Sequence, residues 1–334
     1  MSAIVDIQRL GAPPWPTFDP FLFCVHHRDR YPAGNDAMGP DASLGGRRIG
    51  MDFEGKDGWS MYHGDVVPGF PRHPHRGFET VTIAREGYID HSDSLGATAR
   101  FGRGDVQWMT AGNGVVHSEM FPLVRRDGEN PTELFQIWLN LAAKDKEAPA
   151  YFTMLWNETI PRIAEGGVDV AVVAGTLGDL RAPSPPPSSW AARPEAEVVI
   201  WTARLERGAT WTMPASGSET TNRTIYFFGG ERLRIDDREV EAGHLVRVRA
   251  DQTIEIANVG GALAELLVLQ GRPIGEPVVH YGPFVMSSPA GIKQAVLDYQ
   301  RTEYGGWPWD SDGPVHSRED GRFAIHADGR RETP

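Results

Sequence analysis

The chain has 334 residues, 40% hydrophobic and 23% charged, proportions that describe a folded globular protein and exclude a disordered one. Its 33 basic and 45 acidic side chains give a net charge of −12, which repels phosphate backbones and argues against direct nucleic-acid binding. No apolar run approaches the roughly 18 residues of a membrane span. Met1 to Pro20 shows no basic region leading into an apolar core, and the single cysteine, Cys24, forbids an internal disulfide, so a cytoplasmic protein is expected.

The 38 glycines and 26 prolines imply many tight turns and an all-β chain. Residues 1–50 read as a lead-in with short strands, among them Phe21 to Val25, followed by a surface loop from Gly34 to Gly50. Strands are predicted at Glu79–Ala84, Tyr88–His91, Val106–Thr110 and Phe135–Leu141, with Glu86-Gly87 and Ser94-Leu95-Gly96 as turns. Val168–Ala174 and Val198–Leu205 flank a Pro-rich stretch, Arg181 to Ser189, which suits an inserted surface loop at least as well as a linker. Further strands are expected at Thr224–Phe228, Leu233–Ile235, His244–Arg249, Thr253–Ala257 and Ala264–Gln270. Gly243-His244-Leu245-Val246 echoes Gly104-Asp105-Val106-Gln107, which suggests two related β-domains. Ile292 to Tyr304 is the one helix, with Ile292, Val296 and Tyr299 on a common face, and the polar tail after Trp309 is expected to wrap the surface or fray.

The chemistry concentrates in His73-Pro74-His75 and His117-Ser118-Glu119. Alternate residues of a strand share a face, so each pair can aim two ligands into one interior. Three imidazoles and a carboxylate suit a divalent first-row metal, and no sulfur favours softer ions. Four such ligands on an octahedral ion leave two positions for water, dioxygen or substrate. Spacing alone leaves Glu79 as a rival carboxylate, four residues after His75. His91 reads as a turn residue, His63 as a surface residue near the mouth, and His244 as structural. Trp108 and Met109 are expected to pack beneath the metal, Cys24 to be a buried small hydrophobe, and Arg76, Arg125 and Arg126 to be surface or loop salt-bridge partners.

The strings Pro74-His75-Arg76-Gly77-Phe78-Glu79-Thr80, Asp105 to Gly112 and His117-Ser118-Glu119-Met120, with Gly275 to Val279 and Tyr281 to Met286, resemble the pirin family, over about Asp19 to Tyr304. The resemblance implies a bicupin of two stacked antiparallel β-barrels of jelly-roll type. It divides into a metal-binding cupin domain over 1–148, a cupin without ligands over 149–306, and a tail over 307–334. It places the ligands at His73, His75, His117 and Glu119, with Glu79 in a supporting role. Iron, as Fe(II), is the metal it implies, although the donor set would also accept Mn, Ni, Cu or Zn. The implied activity is quercetin 2,3-dioxygenation, a flavonol reacting with O2 while Glu119 takes the substrate's hydroxyl proton. An alternative is a non-enzymatic, redox-responsive metal protein acting through a protein partner, and a third is an unrelated small substrate. A chain carrying both barrels could suffice as a monomer. Two departures bear on substrate access: Phe121 stands between Met120 and Pro122, and the loop from Leu123 to Asn130 is long.

Overall fold

The computed structural model describes residues 2–334. Contacts group them into two compact units, one of Val25–Glu158 with Glu276–Pro334, the other of the segment up to Cys24 with Thr159–Gly275. The boundaries expected at residues 148 and 306 follow the chain linearly; the contacts instead exchange the two ends. In chain order the first ten strands are β1 (Ile4–Arg9), β2 (Phe21–Tyr31), β3 (Gly69–His75), β4 (Phe78–Glu86), β5 (Tyr88–Asp93), β6 (Thr98–Gly102), β7 (Val106–Thr110), β8 (Val115–Met120), β9 (Asn130–Asn140) and β10 (Tyr151–Leu155).

One unit contains a five-stranded sheet, β10-β7-β4-β9-β2, and a six-stranded one in which β6, β5, β8 and β3 follow Arg331–Glu332 and Phe323–Ile325. Alternation gives each sheet an inner face, apolar in one region and polar in another. Ala84, Leu134 and Phe152 of the first meet Ile89, Ala99 and Phe101 of the second in one buried cluster. Burying each large side chain of this kind stabilises the fold by roughly 1.5–3 kcal/mol.

The other unit repeats the plan with sheets of seven and four strands, β1 lying at the edge of the larger. Trp201, Phe227 and Leu266 from the larger sheet and Trp211, Leu233 and Ile256 from the smaller fill its interior with apolar side chains. His244, half-buried, donates from Nδ1 to the Glu241 carbonyl at 3.0 Å, a structural role. The Pro-rich stretch lies inside this unit, between the short strand Leu180–Arg181 and a turn of 3-10 helix at Trp190–Ala192.

The protein is thus an all-β bicupin with one short C-terminal helix. Each cupin is a pair of facing sheets, since among the described residues no hydrogen-bonded ladder closes them into a continuous barrel. The helix, α1, runs Pro289–Thr302: Ser288 Oγ caps it by accepting from Gly291 N, Pro289 opens its first turn, and Ile292, Val296 and Tyr299 pack on Phe284 and Met286.

The tail is built into the sheet. Phe323–Ile325 pairs antiparallel with β6, and the fully buried Arg100 forks onto Asp90 at 2.7 Å twice while donating to the carbonyls of His316, Ser317 and Asp320. A polar segment is held here by backbone pairing and one buried cation, neither of which leaves a hydrophobic pattern to read.

Candidate metal centre

β3 and β8 lie side by side, antiparallel, with His73 opposite His117 and Phe70 opposite Glu119. A bulge between Phe70 and His73 re-aims the histidine pair. The three imidazoles converge: one ligand nitrogen from each of His73, His75 and His117 lies within 4.8 Å of the others. Ring centroids stand 4.4 Å apart for His73 and His117, 4.8 Å for His73 and His75, and 4.9 Å for His75 and His117.

Hydrogen bonds select which nitrogen His73 and His75 present. His73 Nδ1–H donates to the Pro71 carbonyl at 2.8 Å, which leaves its Nε2 lone pair free. Pro283's carbonyl accepts from His75, while His75 Nδ1 and both nitrogens of His117 are buried without a partner. Buried polar atoms left unpaired cost about 1–3 kcal/mol each, and a cation among the rings removes that cost for the nitrogens that present a lone pair to it. Burial lowers all three pKa values, His73 to about 4 against its Pro71 hydrogen bond, and His75 and His117 well below the usual range. The rings are therefore neutral donors at pH 7, so the donor set fits a divalent first-row ion.

Glu119 is buried beside the triad, one oxygen 3.9 Å from His117 Nε2. Thr82 Oγ1 donates to its Oε1 at 3.1 Å and Gln136 Nε2 to its Oε2 at 3.2 Å. Burial raises its pKa, opposed by His91 and these two hydrogen bonds.

The rival Glu79 is fully buried and accepts from Thr110 Oγ1 at 2.6 Å. Phe78 touches His75 and Thr82 reaches Glu119, so 78, 80 and 82 face the metal side and Glu79 the opposite face of β4. Parity counted from His75 fails because Gly77, at φ 86°, breaks the chain between β3 and β4; a Cβ there would sit 2.0 Å from the Val285 carbonyl oxygen.

Three other expectations need correction or division. His91 is no turn residue: it is fully buried on β5, opposite Glu119, its ring 5.6 Å from that of His117 and stacked on Phe152. Asp93 Oδ2 lies 3.1 Å from its Nε2. Met109 lies opposite Thr80 on the metal side, whereas Trp108 lies opposite Val81 on the far face. Arg76 is buried, pairing with Asp298 of α1 at 2.8 Å and Glu147 at 3.4 Å, while Arg125 and Arg126 are exposed as expected. Cys24 is fully buried, and burial pushes its thiol pKa far up, the behaviour of a small hydrophobe.

Aromatic side chains that the sequence did not place flank the triad. Half-buried Phe70 lies 6.4 Å from the His73 ring, and half-buried Trp138 lies 5.4 Å from that of His75. His63 is exposed, as expected, 5.7 Å from Phe70.

Two cupin units, one with converging histidines and one with an apolar interior, define a bicupin with a single candidate metal centre among the described residues. The chain belongs to the pirin family: residues 10–139 match the Pirin family model and 200–305 the Pirin C-terminal cupin domain. A Pseudomonas aeruginosa protein provisionally named quercetin 2,3-dioxygenase is 39% identical over 237 residues, 71% of this chain and 80% of its own. Human pirin is 32% identical over 248 residues, 73% of this chain and 80% of its own. The crystal structure of a quercetin 2,3-dioxygenase from Acinetobacter baumannii superposes with a TM-score of 0.69 at 26% identity, covering 91% of this chain and 96% of that one.

Proposed function

We propose that this pirin is an Fe(II)-dependent quercetin 2,3-dioxygenase. The observation that carries the reading is the converging histidine triad, with His75 and His117 buried, and a buried, hydrogen-bonded carboxylate beside it. His73, His75 and His117 would hold the iron, and Glu119 completes the ligand set or stands ready as a base. A bound cation lowers the pKa of a hydroxyl at an open position and so favours the flavonolate.

The protein's own residues account for the rest. Glu119, its pKa raised by burial, takes the substrate's 3-hydroxyl proton, and Thr82 and Gln136 keep the carboxylate in place as its charge changes. Phe70 and Trp138 supply apolar surface at the approach to the triad and exclude water from the ring. The overall reaction balances with dioxygen as the sole oxidant: both its atoms enter the ester product and one ring carbon leaves as carbon monoxide.

The test is dioxygen uptake with quercetin by anaerobically Fe(II)-loaded protein. Uptake is expected together with loss of the flavonol absorbance, and the His73→Ala/His75→Ala protein is expected to show neither. Iron-retaining protein that takes up no dioxygen would refute the reading.

A further inference from the structure

The segment between β2 and β3 fixes an exposed aromatic ring in place. Arg47 donates to Asp52 at 2.9 Å, to the Trp59 carbonyl at 2.8 Å and to the Lys56 carbonyl at 2.6 Å, its guanidinium lying 3.3 Å above the Trp59 ring. Asp52 also accepts from Met61 N at 2.9 Å and pairs through its backbone with Tyr62. The next residue, Phe53, is nevertheless 50% exposed. A buried ion pair on its neighbour fixes the backbone from which this ring projects.

Phe53 does not stand alone. Its ring meets His63 edge-on at 5.0 Å and Tyr62 at 5.4 Å, and lies 6.4 Å from Phe70, which in turn is 6.4 Å from the His73 ring. His63 is pinned by a 2.7 Å hydrogen bond from Nδ1 to the Gly50 carbonyl, and Tyr62 by donation to Asp29 Oδ2 at 2.7 Å. A preorganised file of rings thus runs from solvent to a metal-binding histidine. Rings of this kind contact flat aromatic ligands at offset or edge geometry without the cost of ordering a loop.

We propose that Phe53, with His63 and Phe70 behind it, is the specificity wall of the site and selects planar, fully conjugated aromatic substrates over puckered ones. Phe53 is a positioning residue: it acts on the part of the substrate remote from the metal. The inference rests on the dioxygenase reading for its ligand class.

Quercetin and dihydroquercetin, whose central ring is saturated and puckered, separate the two claims. Anaerobic equilibrium binding to metal-loaded protein is followed by flavonol absorbance, and turnover is measured separately. Phe53→Ser is expected to weaken quercetin binding and raise its KM roughly threefold to tenfold, the equivalent of one aromatic contact, with kcat and metal content unchanged. Its preference for quercetin over dihydroquercetin is expected to shrink by the same factor. Leu297→Ser, which removes an exposed apolar side chain of α1 (48% exposed), should change none of these.

Wild-type binding and turnover with an unaltered Phe53→Ser protein would overturn the wall and leave the dioxygenase standing. Weakened binding without any turnover by the iron-loaded wild type would uphold the wall and overturn the dioxygenase. Failure of the wild type to bind quercetin would overturn both.

Discussion

Replacing Gln136 with leucine tests how the carboxylate is held. Thr82 has one hydroxyl proton for two acceptors, Gln136 Oε1 at 2.5 Å and Glu119 Oε1 at 3.1 Å. The hydroxyl proton is shared between them, so Gln136 Nε2, 3.2 Å from Glu119 Oε2, is the donor to the carboxylate whose proton is not divided between these two acceptors. Hydrogen bonds to charged groups contribute about 1.5–3 kcal/mol, and about 1.4 kcal/mol is tenfold in affinity. A 3.2 Å separation is the long end of the normal range, which favours the lower figure. Gln136→Leu should therefore weaken metal binding about tenfold, the lower bound for groups that orient ligands, and Thr82→Val should weaken it less. Anaerobic competition against a chromophoric chelator at neutral pH measures both. Wild-type affinity in a folded Gln136→Leu protein, alongside a loss in Glu119→Gln, would refute the view that this amide presents the carboxylate to the metal.

Arg100→Met should lower the urea midpoint by the equivalent of about 3–5 kcal/mol, because it strands Asp90 as a buried charge and frees three tail carbonyls; an unchanged midpoint would sink the idea. The metal-free protein should lose stability as the pH falls from about 6.5 towards 4, since His27 (about 3), His73 (about 4), His75 and His117 all titrate below 6.5 when folded, and the unfolded chain then binds more protons. Asp29, pushed up to about 6, and Glu119 and Asp105, whose pKa values burial also raises, oppose this, while His316, lowered by burial, adds to it, so that three carboxyls stand against five imidazoles. A midpoint that holds or rises over that interval would contradict the burial of neutral histidines.

The candidate ligand pairs were legible because His-x-His and His-x-Glu are local: alternation along a single strand puts both side chains on one face. Val106–Thr110, Val168–Ala174 and His244–Arg249 were legible for the same reason, their β-branched runs being bounded by glycine or charge. What depended on register was not. His91 joins the site only because β5 pairs with β8, and nothing near it in sequence announces that. The face of Glu79 turned on a break at Gly77, and the burial of Arg76 on Asp298, more than two hundred residues away. The aromatic file was hidden likewise: Phe53 sits in a Gly- and Asp-rich stretch that reads as plain loop, and the Arg47–Asp52 pair that fixes it carries no periodicity.

The exchange of ends between the two units has a consequence for how the chain is made. A ribosome finishes β3 to β10, with all three histidines and Glu119, long before it reaches Glu276. Until then the partner of Arg76 on α1 and the strand that pairs with β6 do not exist, so the cupin that carries the triad waits, with an open sheet edge, until Phe323–Ile325 has been made. Neither cupin can be cut out as one continuous piece. A fragment ending near residue 158 would keep the candidate ligands yet lack Asp298, Pro283 and Phe323–Ile325, and an insertion that displaces Phe323–Ile325 would strain the unit whose candidate ligands lie more than two hundred residues earlier.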